Sequence, residues 1–188
     1  MPVKANTFSP VSSSALCLPC GMCCDGALFP CAALQDDEQD FAISLGMSLL
    51  QPPEKNGFQL PCHLFQGGCC TIYEQPRPKV CGGFECKLLR RYKLGRINLE
   101  EGLKKVRRAR ELLARIAGLM PQESDKNITI TEIRMQRSLL GAGREAERRQ
   151  HLQFLMEAAK YQMFVRSNFF VTLQKNAPPL TDAPEMTV

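Results

Sequence analysis

Apolar side chains recur along this chain in two different ways, and the change falls near residue 86. Beyond it they return every three or four residues, at Leu99, Leu103, Val106, Leu113 and Ile116, the stripe of an amphipathic helix. Asn98 with Glu101 is a capping pair at its start, and Gly118 and Pro121 stop it, so a helix is predicted over residues 99–119. Thr129 with Glu132 repeats that signature before a second helix over residues 130–140, broken by Gly141-Ala-Gly143. A third is expected over residues 144–171, with Leu152, Leu155, Ala159, Met163 and Phe170 on its inner side. Residues 87–93 predict a short helix ended by Gly95.

Before residue 86 the pattern is short and broken. Asp25-Gly26 is a turn into an apolar run that is a strand candidate, residues 25–29. Asp36 or Asp37 caps a short helix carrying Phe41, Leu45 and Leu49, with Gly46 near its end. After a Pro- and Gly-bearing loop at residues 51–57, two strands are expected at residues 58–60 and 71–73, separated by Gly67-Gly68. Pro76-Arg77-Pro78 opposes regular structure. The fold class that follows is α+β and mostly helical: an irregular cysteine lobe with short strands over residues 15–90, then a basic helical region over residues 91–172. Residues 1–14 are expected to be a flexible leader and residues 173–188 a disordered tail.

Composition changes this picture in one respect. The chain has 188 residues, 44% hydrophobic and 23% charged, which suits one domain or a small domain with an appendage. Its net charge of +5 is polarised: residues 87–115 hold 11 basic and 3 acidic side chains, whereas residues 1–86 hold 4 basic and 8 acidic. The basic run reads first as the solvated face of a helix, with Lys104, Arg107, Arg108 and Arg115 outward. Contact with nucleic acid or an acidic protein is the functional alternative, and no specific nucleic-acid target is expected. No apolar run suits a signal peptide or a membrane span, so the expected location is cytoplasmic, with no membrane partner.

The chemistry lies in the ten cysteines, all between residues 17 and 86. Cys17-x2-Cys20-x2-Cys23-Cys24 places four thiols in eight residues. Each x-x spacer lets the backbone turn and bring the next sulfur back toward one point. In a reducing compartment such clusters are metal ligands before they are disulfides, and soft thiolates select zinc, iron or iron–sulfur clusters. A disulfide-stapled secreted domain and a thioredoxin-like redox role are the weaker readings. Adjacent side chains diverge, so Cys23 and Cys24 cannot easily close on one small ion. Either each serves a different metal, or the two grip different corners of a multi-iron cluster. The first three cysteines match the start of a 4Fe–4S ferredoxin run, although Ala27 stands where the next cysteine would be. The C-x4-C pair of Cys81 and Cys86 suits zinc as well as iron.

These landmarks resemble the YkgJ-like cysteine-cluster family, a CxxCxxCC zinc- or iron-chelating domain often described as an iron–sulfur protein. The residues that carry the likeness are Cys17-x2-Cys20-Gly21-x-Cys23-Cys24, Cys62-x-Leu64, Cys70-Thr-Ile-Tyr73, Arg77-Pro78-x2-Cys81 and Phe84-x-Cys86. The chain departs from the pattern at Gly82, where the family usually carries arginine. The resemblance implies metal ligation by Cys17, Cys20, Cys23, Cys24, Cys62, Cys70, Cys81 and Cys86. Cys31 and Cys69 are then small buried thiols, Cys69 because it alternates with an inward Cys70 on a strand. His63 is expected not to ligate, for the same alternation. Tyr73 and Arg77 are expected either to donate toward thiolate sulfur or to pack.

The expected function is a metal-binding cysteine-cluster protein, with an iron–sulfur cluster of the 4Fe–4S type favoured over zinc. Electron transfer or metal handling is the expected role, with an unidentified protein partner. A zinc-stabilised interaction module is the alternative. An enzyme using the cluster as cofactor is the least supported, because no Ser–His–Asp set, phosphate loop or paired catalytic carboxylate stands out.

Overall fold

The computed structural model describes residues 13–51, 56–120, 128–145, 149 and 151–170. Residues 1–12 and 171–188, which hold most of the expected leader and all of the expected tail, lie outside that set. Both capping pairs form as predicted. Asn98 Oδ1 accepts the Glu101 N–H at 2.8 Å and Glu101 Oε2 accepts the Asn98 N–H at 2.9 Å. Thr129 Oγ1 and the Glu132 carboxylate exchange the same pair of bonds. Each satisfies two donors that a helix start leaves without partners.

In chain order the described elements are α1 (Ser14–Cys20), β1 (Cys31–Ala33), a 3-10 turn (Asp36–Glu38), α2 (Gln39–Ser44), β2 (Gly57–Gln59), β3 (Phe65–Gln66) and β4 (Cys69–Cys70). These are followed by α3 (Lys79–Gly83), α4 (Lys87–Lys93), α5 (Leu99–Ala117), α6 (Ile130–Ala142) and α7 (Leu152–Asn168). The architecture is α+β and mostly helical, as the sequence predicts. Two small antiparallel sheets, β1–β2 and β3–β4, supply its strands. No helix among the described residues is long and apolar enough to cross a membrane.

The long helix α5 is the backbone of the packing. It lays Val106, Ala109, Leu112, Leu113 and Ile116 against α7, with Leu99 and Leu103 half-buried beside them, and Lys104, Arg107, Arg108 and Arg115 stay exposed. Near its start α5 receives α1. A Cβ on Gly102 would come within 2.9 Å of the Leu16 side chain, so the glycine lets the two helices approach. The core they share takes in Met22, Ala27 and Leu28 from the cysteine loop and Leu88 and Leu89 from α4, and so runs across the expected boundary at residue 90. A smaller apolar cluster of Leu34, Ala42, Met47 and Phe58 underlies the strands.

Three expectations are corrected. The buried face of the α7 segment is Phe154, Ala158, Tyr161, Val165 and Phe169; of the expected inner residues Leu155 and Phe170 pack half-buried on the same core, while Leu152 and Met163 are 55% and 72% exposed. This helix has apolar residues on more than one side, and the aromatic stripe offers more area to bury. Tyr161 also finds a partner inside, donating to the Ala27 carbonyl at 2.7 Å. The strand expected at residues 25–29 lies instead at residues 31–33, paired with β2. Gly67 and Gly68, with φ of +57° and +84°, close a two-residue hairpin loop, so its strands are the flanking pairs 65–66 and 69–70. Residues 71–73 form a turn, not a strand.

The register of α7 is testable by stability. Phe154→Ala removes a fully buried ring and is expected to cost about 3–5 kcal/mol in chemical denaturation. Met163→Ala is expected to stay within about 0.5 kcal/mol.

Candidate metal centre

The cysteine loop is built by one helix end and one glycine. Cys17 and Cys20 stand three apart on α1 and so share a face. Gly21 ends that helix at φ +58°, its N–H bonding the Cys17 carbonyl at 3.0 Å. A side chain there would be strained, and its Cβ would lie 2.3 Å from the Phe65 ring, so only glycine admits the β3–β4 hairpin against the turn. The chain then winds tightly. Cys24 and Asp25 both donate to the Gly21 carbonyl, at 2.9 and 3.1 Å, and Leu28 donates to Met22 at 3.0 Å.

Three helices reach into this loop with polar groups. Arg110 of α5 pairs through Nη1 with the buried carboxylate of Asp25 and donates through Nη2 to the Cys20 carbonyl at 2.6 Å. Asp25 also takes the Ala27 N–H on Oδ1 at 2.9 Å. Ile130, first residue of α6, donates its N–H to the Gly26 carbonyl at 2.8 Å. Tyr161 of α7 supplies the bond to Ala27 described above. Burial pushes the Tyr161 hydroxyl strongly up, and the neighbouring Asp25 charge adds to it, so it remains a donor. Asp25 reads in the sequence only as a turn residue, and Arg110 is one cation among eleven; neither signals its role there.

The other thiols arrive on separate supports. Cys62 donates its N–H to the Cys24 carbonyl at 2.8 Å, which ties the hairpin to the loop. Cys70 lies opposite Phe65 on the hairpin. Cys81 sits on α3, whose first N–H, from Lys79, is accepted by the buried Glu38 at 2.6 Å. Cys86 starts α4, its Sγ accepting the Leu89 N–H at 3.4 Å. It is anchored by the Lys87 N–H to the Phe169 carbonyl at 2.9 Å and by edge-on contacts of Phe29 with Phe84 and Phe170, both at 5.2 Å between centroids.

The sulfurs sort by neighbourhood. Cys17, Cys20, Cys23 and Cys86 all pack against the helical core. Burial pushes the Cys17 thiol up to about 11, with Cys86 adding to it, and Cys20 up to about 12 despite the lowering N–H of Met22. Cys23 is raised well above the usual thiol value, by burial first and then by Cys20 and Cys86. A different company surrounds Cys24, which burial and then Cys81, Cys70 and Cys62 raise to about 12. Burial raises Cys62, which also feels Cys70, and raises Cys81 to about 11, with Cys62 next. Cys81 lies on the exposed rim, so the protein on its inner side supplies that desolvation. The guanidinium of Arg77, stacked 4.3 Å from the Tyr73 ring centroid, works in the opposite direction on Cys81.

All eight candidate sulfurs are free thiols. As placed, however, no group of three or more His, Cys, Asp or Glu side chains among the described residues is arranged to hold an ion. The sulfurs share neighbourhoods without closing on a point. His63 and Cys69 are exposed, and the expectation that Cys69 is buried is corrected: its thiol sits on the hairpin rim and donates to the Gln66 carbonyl at 3.5 Å. The two-residue loop leaves the β4 edge in solvent. Cys31 is half-buried on β1. No protein-family model, curated protein or solved structure matches the chain.

The Arg110 clamp has a measurable consequence. Arg110→Met strands the Asp25 carboxylate in a buried site and is expected to cost about 3–5 kcal/mol. Adding Asp25→Asn is expected to recover part of that loss in a double-mutant cycle.

Proposed function

We propose that this is a metal-binding cysteine-cluster protein of the YkgJ-like kind, holding an iron–sulfur centre through Cys17, Cys20, Cys23, Cys24, Cys62, Cys70, Cys81 and Cys86. The observation that carries the reading is the gathering of these eight free thiols from six segments around one buried loop. The donor set fits the group. Eight soft sulfurs suit iron, zinc or iron–sulfur chemistry and discriminate against hard cations. Rotation about its Cα–Cβ bond swings a cysteine sulfur between staggered positions, so neighbouring thiols can be re-aimed by a change of rotamer. The ordered landmarks Ile72-Tyr73 and Arg77-Pro78 between the later cysteines support the family assignment.

The bound group supplies one-electron redox chemistry or metal storage and transfer; the chain supplies its environment. Met22, Leu88 and Leu89 keep the inner side of the first thiols apolar. Lys93 near Cys17, Arg110 near Cys20 and Arg77 near Cys81 set positive charge against the thiolates. A reducing cytoplasm suits this chemistry, and electron transfer or metal handling with a protein partner is the role it supports. The exposed cations of α5 face away from the core and carry no argument for a nucleic-acid target.

Anaerobic purification with an absorption spectrum, metal analysis and acid-labile sulfide assay tests the proposal. A brown protein holding iron and sulfide is expected; a colourless protein holding zinc would favour a structural module, and one holding no metal sinks the reading. Cys20→Ser and Cys70→Ser are expected to lose metal, whereas Cys31→Ser and Cys69→Ser keep it.

Two further outcomes follow from the thiol environment. The lobe over residues 17–86 has little apolar area of its own, so metal-binding energy is expected to act there as folding energy. Chelation should then increase its proteolysis, and unchanged protection in metal-free protein would refute this. Burial keeps Cys17, Cys20 and Cys24 protonated at neutral pH, because their raised pKa values lie well above it. Metal uptake must displace those protons, so it is expected to acidify a weakly buffered solution and to tighten as pH rises.

A further inference from the structure

We infer that the eight thiols make two separate four-sulfur metal centres: Cys17, Cys20, Cys23 and Cys86 against the helical core, and Cys24, Cys62, Cys70 and Cys81 beside the strand lobe. This rests on the metal-binding reading above and sharpens it from one eight-thiol site to two.

Location is the first argument. All four members of the first set line the core shared by α1, α4, α5 and α7. In the second set, Cys62 packs on the other apolar cluster together with Val80, the neighbour of Cys81. Cys24 is joined to Cys62 through the backbone at 2.8 Å, and Cys70 lies across the hairpin that begins just after Cys62. The Cys23–Cys24 peptide is therefore the boundary. Consecutive side chains diverge, and here Cys23 packs against the helical core while the Cys24 carbonyl takes the Cys62 N–H.

Spacing agrees with the division and removes an ambiguity. Cys81 and Cys86 form a C-x4-C pair in sequence, yet α3 holds the first on the rim by way of Glu38 and α4 carries the second into the core. Each set is thereby completed by one member of that pair. The first set becomes a C-x2-C-x2-C run with a remote fourth ligand, the arrangement of a cluster-binding loop. The leading electrostatic neighbours follow the same division for Cys24, which feels Cys81, Cys70 and Cys62, while Cys23 feels Cys20 and Cys86 first, then its chain neighbour Cys24, then Cys17.

Each centre would take a thiophilic cation by exchange without any redox step. One divalent ion binds four thiols, four S–H bonds break, four metal–sulfur bonds form, and four protons leave to solvent. The product carries a net charge of −2; near the first set lie Lys93 and Arg110, already paired with Glu85 and Asp25, and near the second lies Arg77.

Cobalt(II) is the probe, because its spectrum reports tetrahedral sulfur ligation directly. Full-length protein loaded with Co2+ under anaerobic, reducing conditions is expected to hold two equivalents by native mass spectrometry and elemental analysis. X-ray absorption on the unmutated protein should give four sulfurs per cobalt and no short metal–metal distance. Cys20→Ala, Cys86→Ala and the pair together should each leave one equivalent, as should Cys62→Ala, Cys81→Ala and their pair. Cys20→Ala with Cys62→Ala should leave none. One equivalent in the unmutated protein, a short metal–metal distance, or loss of both ions from a pair within one set would overturn the two-centre assignment while leaving metal binding intact. Failure to bind any cobalt, iron or zinc would sink both. The X-ray absorption result needs no variant, so it decides the question even where a substitution prevents folding.

Discussion

Everything around the cysteine loop depends on a buried carboxylate. Asp25 has only 2% of its side chain exposed, and a charge so placed is tolerable only if it is paired and hydrogen-bonded. Arg110 supplies the pairing, and the Ala27 N–H fills the other oxygen. The same guanidinium reaches the Cys20 carbonyl at the last turn of α1, where a helix leaves acceptors without partners and concentrates negative partial charge. One arginine on the longest helix thus fixes both the end of α1 and the turn that follows it. The first three cysteines occupy that span.

The clamp also explains why the basic run and the cysteine loop belong together although their charges look like separate facts. Most cations of α5 face solvent, and there their mutual repulsion is weakened by water and salt. Arg110 reaches the buried Asp25 because it sits one position after Ala109 on the edge of the apolar stripe. Its exposure of 35% reflects that edge position. The helix therefore presents one side to water and one to the core, and uses the border between them for the loop.

The longer helices were legible in the sequence because their signals are local, whereas the short α1 and α3, expected as irregular chain, were not. Asn98 with Glu101 and Thr129 with Glu132 mark starts through bonds three residues long, and the α5 stripe needs only its own periodicity. The strands were less legible, since β1 meets β2 across more than twenty residues and nothing in residues 31–33 announces the partner. The face of α7 failed for a different reason: both of its stripes are apolar, and the choice between them lies in Tyr161 finding the Ala27 carbonyl 134 positions away. At the candidate site, the clustering of Cys17, Cys20 and Cys23 around the end of one short helix follows from their spacing in the chain. Asp25, Arg110 and Glu38 were not readable from the chain, because each acts on backbone groups that only the fold brings near.

Gly21 shows how closely the two lobes are fitted. Its positive φ turns the chain out of α1, a local requirement any helix end can make. Its missing side chain answers a different need, since the Phe65 ring occupies the space a Cβ would fill. That ring belongs to the strand opposite Cys70, so the hairpin carrying Cys70 rests directly on the turn between the earlier thiols. The Cys62 N–H on the Cys24 carbonyl closes the same junction from the other side. A single small residue between Cys20 and Cys23 consequently governs both the direction of the first thiols and the approach of the second group. It is this junction, and not closeness along the chain, that brings the hairpin up to the cysteine loop.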